Sequence, residues 1–255
     1  MAAALKAVTR VIGVLVGLAL LALALFVLAL VEAPGFFTYH TSDGRLTIWS
    51  DEPFDEAAGQ RVLADVEKRL ATSPLDDYLA HAIFIANARW REDLFFGFAR
   101  GAAGVNYYPL TNNIFLRHSD IDHDQVFGRR TGKPAAPPRT LAYYAAHEIT
   151  HSFTAEHLGA AHLWNHMLPQ WVREGYADYI GMGSQVDWRD LYRHYQAHDP
   201  QLTYRGSGLY AEYRMLTAYF LEHDHWTVDR LLASRLSLAD AHATMDRELA
   251  ASGGR

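Results

Sequence analysis

The sequence predicts an α+β fold in which a small mixed β-sheet packs on one long helix. A helical C-terminal half follows, and one apolar N-terminal helix precedes the sheet. Three patterns indicate this class. Strand-like runs occur between residues 45 and 117, helical spacing of apolar residues prevails from residue 138 onward, and a long charge-free run lies near the N-terminus. With 255 residues, half of them hydrophobic, we expect one domain plus this appendage.

The charge-free run comprises residues 11–31, and a helix of this length spans about 30 Å, the thickness of a bilayer's hydrocarbon core. Lys6 and Arg10 precede it, which favours a cytoplasmic N-terminus. We therefore expect residues 1–32 to form a cytoplasmic tail and transmembrane anchor. Residues 33–255 would form an extracytoplasmic domain, in a bacterial periplasm. A cleaved signal peptide is the alternative, although its apolar region is usually shorter, about 7–15 residues.

The composition limits the classes of binding partner and of metal ligand that the chain can have. The net charge is −6 and no long basic run is present, which disfavours nucleic acid. The chain has no cysteine, so disulfides and thiolate metal sites are excluded and His, Asp and Glu are the available zinc ligands. The part beyond residues 11–31 carries 21 basic and 29 acidic residues, a charge of −8. The bilayer is therefore expected to bind the protein through residues 11–31 and not through surface charge.

Between the anchor and residue 138 the sequence predicts strands and one helix. Alternating or continuous apolar residues indicate the strands, and apolar residues at intervals of four indicate the helix. The predicted strands are 45–50, 82–86, 104–108 and 113–117, the last two joined as a hairpin, and the predicted helix is 55–70.

The remainder is helical in pattern. A helix is predicted from Pro138 to Gly159, with proline at its entry and glycine beyond its exit. A second helix, 170–180, follows Pro169. Further helices are predicted at 209–221, 228–232 and 238–249.

The helix that begins near Pro138 carries the motif His147-Glu148-Ile149-Thr150-His151, and Glu174 follows on the next helix. Residues four apart share a helical face, so His147 and His151 can point two imidazoles at one ion. Two nitrogens and one carboxylate oxygen leave a tetrahedral zinc ion with one open position, as in catalytic sites. Glu148 lies where the general base for a zinc-bound water is needed. The sequence therefore predicts a zinc-dependent peptidase, with the sheet packed on the zinc-motif helix.

His157 offers an alternative third ligand, because it falls where the metzincin pattern HExxHxxGxxH places one. That pattern needs a glycine at its eighth position to break the helix, and this chain has Thr154 there. In an unbroken helix His157 lies six residues from His151, about 240° around the axis. We therefore expect His157 to point away from the ion.

The stretch 171–179, WVREGYADY, resembles the second motif helix of the gluzincins, the peptidase MA-like group of zinc metallopeptidases. The resemblance covers residues 141–180 and implies that Glu174 completes the zinc shell. Twenty-two residues separate His151 from Glu174, more than is usual in that group, so a larger loop is expected between the two helices.

The same resemblance implies two supporting roles. Asp178, one turn after Glu174, would accept a hydrogen bond from His147, since a ligating imidazole usually donates its other N–H to a carboxylate or carbonyl. A tyrosine from a later helix would stabilise the oxyanion, and Tyr210 fits that position better than Tyr213. Either strand of the predicted hairpin could pair with an extended substrate.

The leading hypothesis is thus a membrane-anchored zinc metallopeptidase of the gluzincin type, with a peptide or protein substrate. An M48-like membrane metallopeptidase is a second hypothesis that also makes the protein an enzyme. The non-enzymatic alternative is a membrane-tethered binding or assembly module in which zinc only stabilises the fold. The substrate, and the choice between exopeptidase and endopeptidase, stay open at the level of sequence.

Overall fold

The computed structural model describes residues 2–76, 78–97, 99, 101–129, 131–159 and 168–252, and the side chains of all of these except 2–7 and 252. The chain begins with helix α1, Ala2–Val31. Within it, Val8–Val31 is long and apolar enough to cross a membrane, a property that a signal sequence near the N-terminus shares. The prediction of an apolar N-terminal helix is therefore confirmed.

A mixed five-stranded sheet follows α1. Its strands lie in the order β1-β2-β3-β5-β4, so that β4 forms one edge. The β1–β2 and β4–β5 pairs are antiparallel, whereas β2–β3 and β3–β5 are parallel. The strand bounds are β1 Tyr39–Asp43, β2 Leu46–Ser50, β3 His81–Ala86, β4 Gly104–Asn106 and β5 Ile114–Arg117.

The inner strands β3 and β5 are buried on both faces, and their successive side chains point to opposite sides of the sheet. Ile114 and Leu116 of β5 belong to the main core beneath the helices. Phe115, between them, belongs to a second, largely aromatic cluster on the opposite face, which also contains the end of α1. The parallel pairs are joined by crossovers that contain α2, Glu56–Leu70, and α3, Arg89–Phe95.

Two further short strands, β6 Ser119–Asp120 and β7 Gln125–Val126, pair with each other ahead of the helical half. The helical half consists of α4 Leu141–His157, α5 Gln170–Gly181, α6 Trp188–Gln196, α7 Tyr204–Ser207, α8 Ala211–Ala218, α9 Val228–Ala233 and α10 Leu238–Ser252. A π-helical turn, Tyr219–His223, extends α8.

The α+β class, the mixed sheet and the predicted hairpin are confirmed. The boundaries of α4 differ from the prediction. Its first turn is capped by Thr140, whose side chain accepts from the Tyr143 amide, so the helix begins three residues after Pro138. The helix predicted at 209–221 begins at Ala211, with Tyr210 as the preceding residue. Strands β1, β6 and β7 and helices α3, α6 and α7 were not predicted.

Helix α4 holds the central position in the described structure. It contacts α2 and α5 as well as strands β4 and β5. From Leu141 to Ala155 nearly all of its residues are buried. Edge strand β4 and helix α5 therefore flank α4, which fixes what surrounds the HExxH motif.

Candidate metal centre

The two motif histidines lie side by side on α4. Their ring centroids are 5.0 Å apart and the rings are nearly perpendicular, at 85°. Both side chains are largely buried. The uninterrupted helix from the Thr140 cap places these residues on one face, as the four-residue spacing predicts.

Glu174 reaches this pair from α5. Its Oε2 lies 3.5 Å from His147 Nε2 and 3.7 Å from His151 Nε2. One ligand atom from each of the three residues lies within 4.8 Å of the other two. Zinc bonds of about 2.0–2.1 Å at tetrahedral angles place ligand atoms about 3.3 Å apart. The donor types and the separations to Glu174 therefore fit a zinc ion.

Arg173 binds the other oxygen of Glu174, with its Nε 2.9 Å from Oε1. Burial raises the pKa of Glu174, but the hydrogen bond from His147 and the positive charges of His151, His147 and Arg173 outweigh burial. They hold the pKa well below its usual range. The carboxylate thus stays ionised, with one oxygen bound to Arg173 and the other directed to the histidines. This arrangement suits a monodentate ligand.

The same surroundings act on His147. Burial lowers the pKa of this imidazole. The hydrogen bond to Glu174 and the negative charges of Glu148 and Glu174 raise it by more than burial lowers it, so the pKa of His147 is raised. These negative charges favour a proton on His147, whereas a metal ligand must be deprotonated. A divalent cation would supply the positive charge in place of that proton.

Glu148 lines a cleft between α4 and the edge strand. Burial raises its pKa to about 7, with a lowering contribution from His147 and a raising one from Glu174. Gly104 of β4 is so close that a Cβ there would lie 2.7 Å from Glu148 Cγ and 2.8 Å from Oε1. Asn106 also ties β4 to α4, because its Nδ2 donates to the Glu148 carbonyl at 2.9 Å.

The cleft has a volume of about 440 Å³, within the range of about 300–1,000 Å³ that small ligands occupy. His147, Glu148, His151 and Glu174 all line it, together with residues 102–106 of the edge-strand side. The edge-strand side of the cleft is therefore lined mostly by small residues, whereas α4 and α5 contribute the titratable groups.

Tyr210 lines the same cleft. Its ring stacks over His147, with centroids 6.1 Å apart and an angle of 16° between planes. Burial, followed by the charge of Glu174, raises the pKa of Tyr210 above its usual range, so the hydroxyl remains protonated and able to donate. Tyr213 stacks on Tyr210 at 5.6 Å, but it does not line the cleft.

Asp178 lies one turn beyond Glu174, as predicted, but its partners differ from the prediction. The carboxylate accepts from the Tyr143 hydroxyl and, at 2.6 Å, from Arg214 Nη1. His147 Nδ1 is buried and has no hydrogen-bond partner among the described residues. The predicted bond between Asp178 and His147 is therefore absent from the described structure, because a guanidinium from α8 and a phenol from α4 occupy the carboxylate.

The three members of this network stand in a regular relation to the site. Tyr143 precedes His147 by four residues, Asp178 follows Glu174 by four, and Arg214 follows Tyr210 by four. The network thus connects α4, α5 and α8, and each of its members lies one helical turn from a residue of the site. Asp178 is fully buried, and Arg214 nearly so. The His147 ring is positioned by packing between Tyr143 and Tyr210.

His157 lies at the end of α4 and pairs with Asp229 of α9, with Nε2 2.6 Å from Oδ1. It does not belong to the group of close ligand atoms in the described structure. The partly exposed pair leaves the metzincin arrangement without support, as the uninterrupted helix predicts.

Three contributors to the site were not singled out from the sequence: Gly104, Asn106 and Arg173. Gly104 and Asn106 lie in a short strand whose place at the sheet edge depends on pairing with β5. An ion pair between Arg173 and Glu174 was conceivable from the sequence because the two residues are adjacent. It was not predicted, because adjacent helical residues do not generally face each other.

No model of a known protein family matches this chain, and no curated protein matches it either. The resemblance to gluzincins therefore rests on the motif residues alone.

Proposed function

We propose that this protein is a membrane-anchored zinc metallopeptidase that hydrolyses peptide bonds outside the cytoplasm. The observation that carries the proposal is the convergence of His147, His151 and Glu174 on one point beside Glu148, in a cleft large enough for a peptide segment. The position of β4 at the sheet edge, packed on the motif helix, supports it, because an extended chain can add as a strand to the edge of a sheet.

In this proposal His147, His151 and Glu174 hold the ion, and Arg173 fixes the Glu174 carboxylate. A zinc ion held by these residues would supply a Lewis acid that activates water and polarises the substrate carbonyl. The Glu148 carboxylate accepts the proton of the attacking water and passes it to the leaving amine. The Tyr210 hydroxyl donates to the oxyanion that develops on the carbonyl oxygen.

The cellular arrangement is part of the proposal. Helix α1 serves as an uncleaved single span, with residues 1–10 in the cytoplasm and the domain on the far side, as Lys6 and Arg10 indicate. A bacterial periplasm is the proposed compartment.

The test measures zinc content and hydrolysis of a mixed peptide library by the full chain and by Glu148→Gln. Glutamine has nearly the same size and cannot accept the proton, so we expect retained zinc and a loss of cleavage of at least about 100-fold. Equal cleavage by both proteins would refute the role of Glu148. Bound zinc without cleavage by either protein would favour the non-catalytic zinc-stabilised module.

A further inference from the structure

The junction between α1 and the domain is a packed contact. The last turns of α1 enter the aromatic cluster on the outer face of the sheet, where Leu30 is fully buried. Asn113 Nδ2 donates to the Leu30 carbonyl at 2.8 Å, which ties the β4–β5 side of the sheet to the helix end. The domain is therefore held to α1 in one orientation.

The exposed part of α1 matches the thickness of a membrane. Every described side chain from Val8 to Leu25 is exposed, and burial by the domain begins at Phe26. These 18 residues extend about 27 Å at 1.5 Å per residue, close to the roughly 30 Å of a bilayer's hydrocarbon core. If residues 8–25 fill the hydrocarbon, the domain begins at the outer surface of the bilayer with no intervening stalk.

Two consecutive residues link this junction to the cleft. Tyr107 contacts Phe26 of α1, with ring centroids 5.5 Å apart. Its neighbour Asn106 donates to the Glu148 carbonyl on α4. Neighbouring residues of an extended segment point to opposite sides. A single strand thus separates the cleft from the membrane-proximal end of α1.

Two exposed apolar side chains lie on segments that contact the end of α1 or the turn after it. Trp90 is 53% exposed and lies 6.3 Å, ring to ring, from Phe36 in the turn that follows α1. The Arg91 guanidinium covers one face of Trp90 and its Nε donates to the Phe36 carbonyl at 2.7 Å. Leu110, 51% exposed, lies in the turn between β4 and β5, where its amide donates to the carbonyl of Tyr107, the residue that contacts α1. Exposed tryptophan beside arginine is typical of a membrane–water interface.

We propose that this face, formed by Phe36, Trp90 and Leu110 around the end of α1, rests on the outer leaflet, and that the cleft takes polypeptide segments held close to the same membrane. Its substrates would then be the membrane-proximal segments of anchored or lipid-modified proteins. The substrate assignment rests on the proposed peptidase function, whereas the lipid contact rests only on the proposed membrane span α1. The net charge of −8 beyond the span excludes attraction to anionic lipid as the main cause.

The lipid contact can be tested without activity, because the chain has no cysteine to interfere with labelling. Single variants Trp90→Cys and Leu110→Cys would carry a nitroxide in the full chain, reconstituted in phosphatidylcholine vesicles. Ala243→Cys, exposed on α10, is the matched control. We expect labels at 90 and 110 to collide more with oxygen than with a water-soluble nickel chelate, and the label at 243 to show the reverse. Water-like values at both 90 and 110 would overturn the proposal.

The substrate assignment is tested with one fluorogenic peptide in three forms. It is free, or attached to lipid through a spacer of about five or about forty residues, each spacer residue reaching about 3.3–3.6 Å. Both lipid-bound forms have the same surface concentration, so the ratio of their cleavage rates reports the height of the cleft above the membrane. We expect the short spacer to be cleaved at least as fast as the long one. Cleavage of the long-spacer form alone would refute a membrane-proximal cleft.

Trp90→Asp separates docking from chemistry, because Trp90 is not part of the cleft. We expect short-spacer cleavage to fall about tenfold, since one aromatic side chain no longer enters the interface, while free-peptide cleavage is unchanged. Equal cleavage of the short-spacer form by both proteins would count against the docking face. Failure to cleave any peptide would refute the peptidase and the substrate assignment together, and the labels would still decide the lipid contact.

Discussion

Gly104→Ala is the most discriminating single substitution for the proposed role of Glu148. A Cβ at this position would lie 2.7 Å from Glu148 Cγ, 2.8 Å from its Oε1 and 2.7 Å from Leu116 Cδ2. Ordinary van der Waals contact begins at about 3.4 Å, so the Glu148 side chain must move by about 0.7 Å. None of these three nearest atoms belongs to His147, His151 or Glu174.

The expected loss follows from that displacement. General acid–base catalysis contributes about 10²–10⁴-fold, and a misplacement of about 1 Å can cost about 100-fold. We therefore expect kcat/KM for a peptide to fall by about 100-fold in Gly104→Ala. Overpacking against Leu116 should lower the free energy of unfolding by about 1–3 kcal/mol.

Gly101→Ala is the matched control, because a Cβ at Gly101 meets nothing within 4 Å and the residue is exposed. Peptide hydrolysis, bound zinc and urea unfolding would be measured for both variants and the unaltered chain. Gly101→Ala should retain full activity, and Gly104→Ala should retain its zinc. A folded Gly104→Ala protein with full activity would show that catalysis does not need the Glu148 carboxylate where the structure has it.

Three further outcomes are expected. Asp178→Asn should lower the free energy of unfolding by about 3 kcal/mol, because it leaves the Arg214 guanidinium buried without a charged partner. Asp190→Asn, in an exposed ion pair, should cost at most about 1 kcal/mol, and equal losses in urea unfolding would contradict the role of the buried network. His157→Ala should keep its zinc and lose at most about 1 kcal/mol; zinc loss on dialysis would restore the metzincin arrangement. Tyr210→Phe should lower kcat by about 100-fold or more with zinc content unchanged, and an unaltered kcat would remove Tyr210 from the mechanism.

The predictable part of the fold is the part with a buried face. Strand β3 and helix α2 were recognisable because their apolar residues recur at the spacing of the element. Strand β1 was not, since only Thr41 of its five residues is buried and an edge strand has little apolar pattern to display. Helix α6 was missed although Trp188, Leu191 and Tyr195 recur at helical spacing and pack against the main core.

The candidate site shows the same division. The relation of His147, Glu148 and His151 is local to one helix, so four-residue spacing predicts it. The position of Glu174 near the two histidines was predicted from the resemblance of residues 171–179 to the gluzincin motif. The partners of Asp178 were not predictable, because Arg214 is 36 residues away in the chain and belongs to another helix. The four-residue spacing predicted that Asp178 lies on the same face of α5 as Glu174, but it could not predict which residue of another helix would bind Asp178.

The central claim is that one ion is bound jointly by His147, His151 and Glu174. Equilibrium dialysis of the purified full chain against zinc, with the metal measured by mass spectrometry, tests it most directly. The unaltered chain should bind one zinc ion, and Glu174→Ala should weaken binding by more than about 100-fold, beyond the range for loss of a supporting contact. Zinc binding by Glu174→Ala as tight as that of the unaltered chain would contradict the claim.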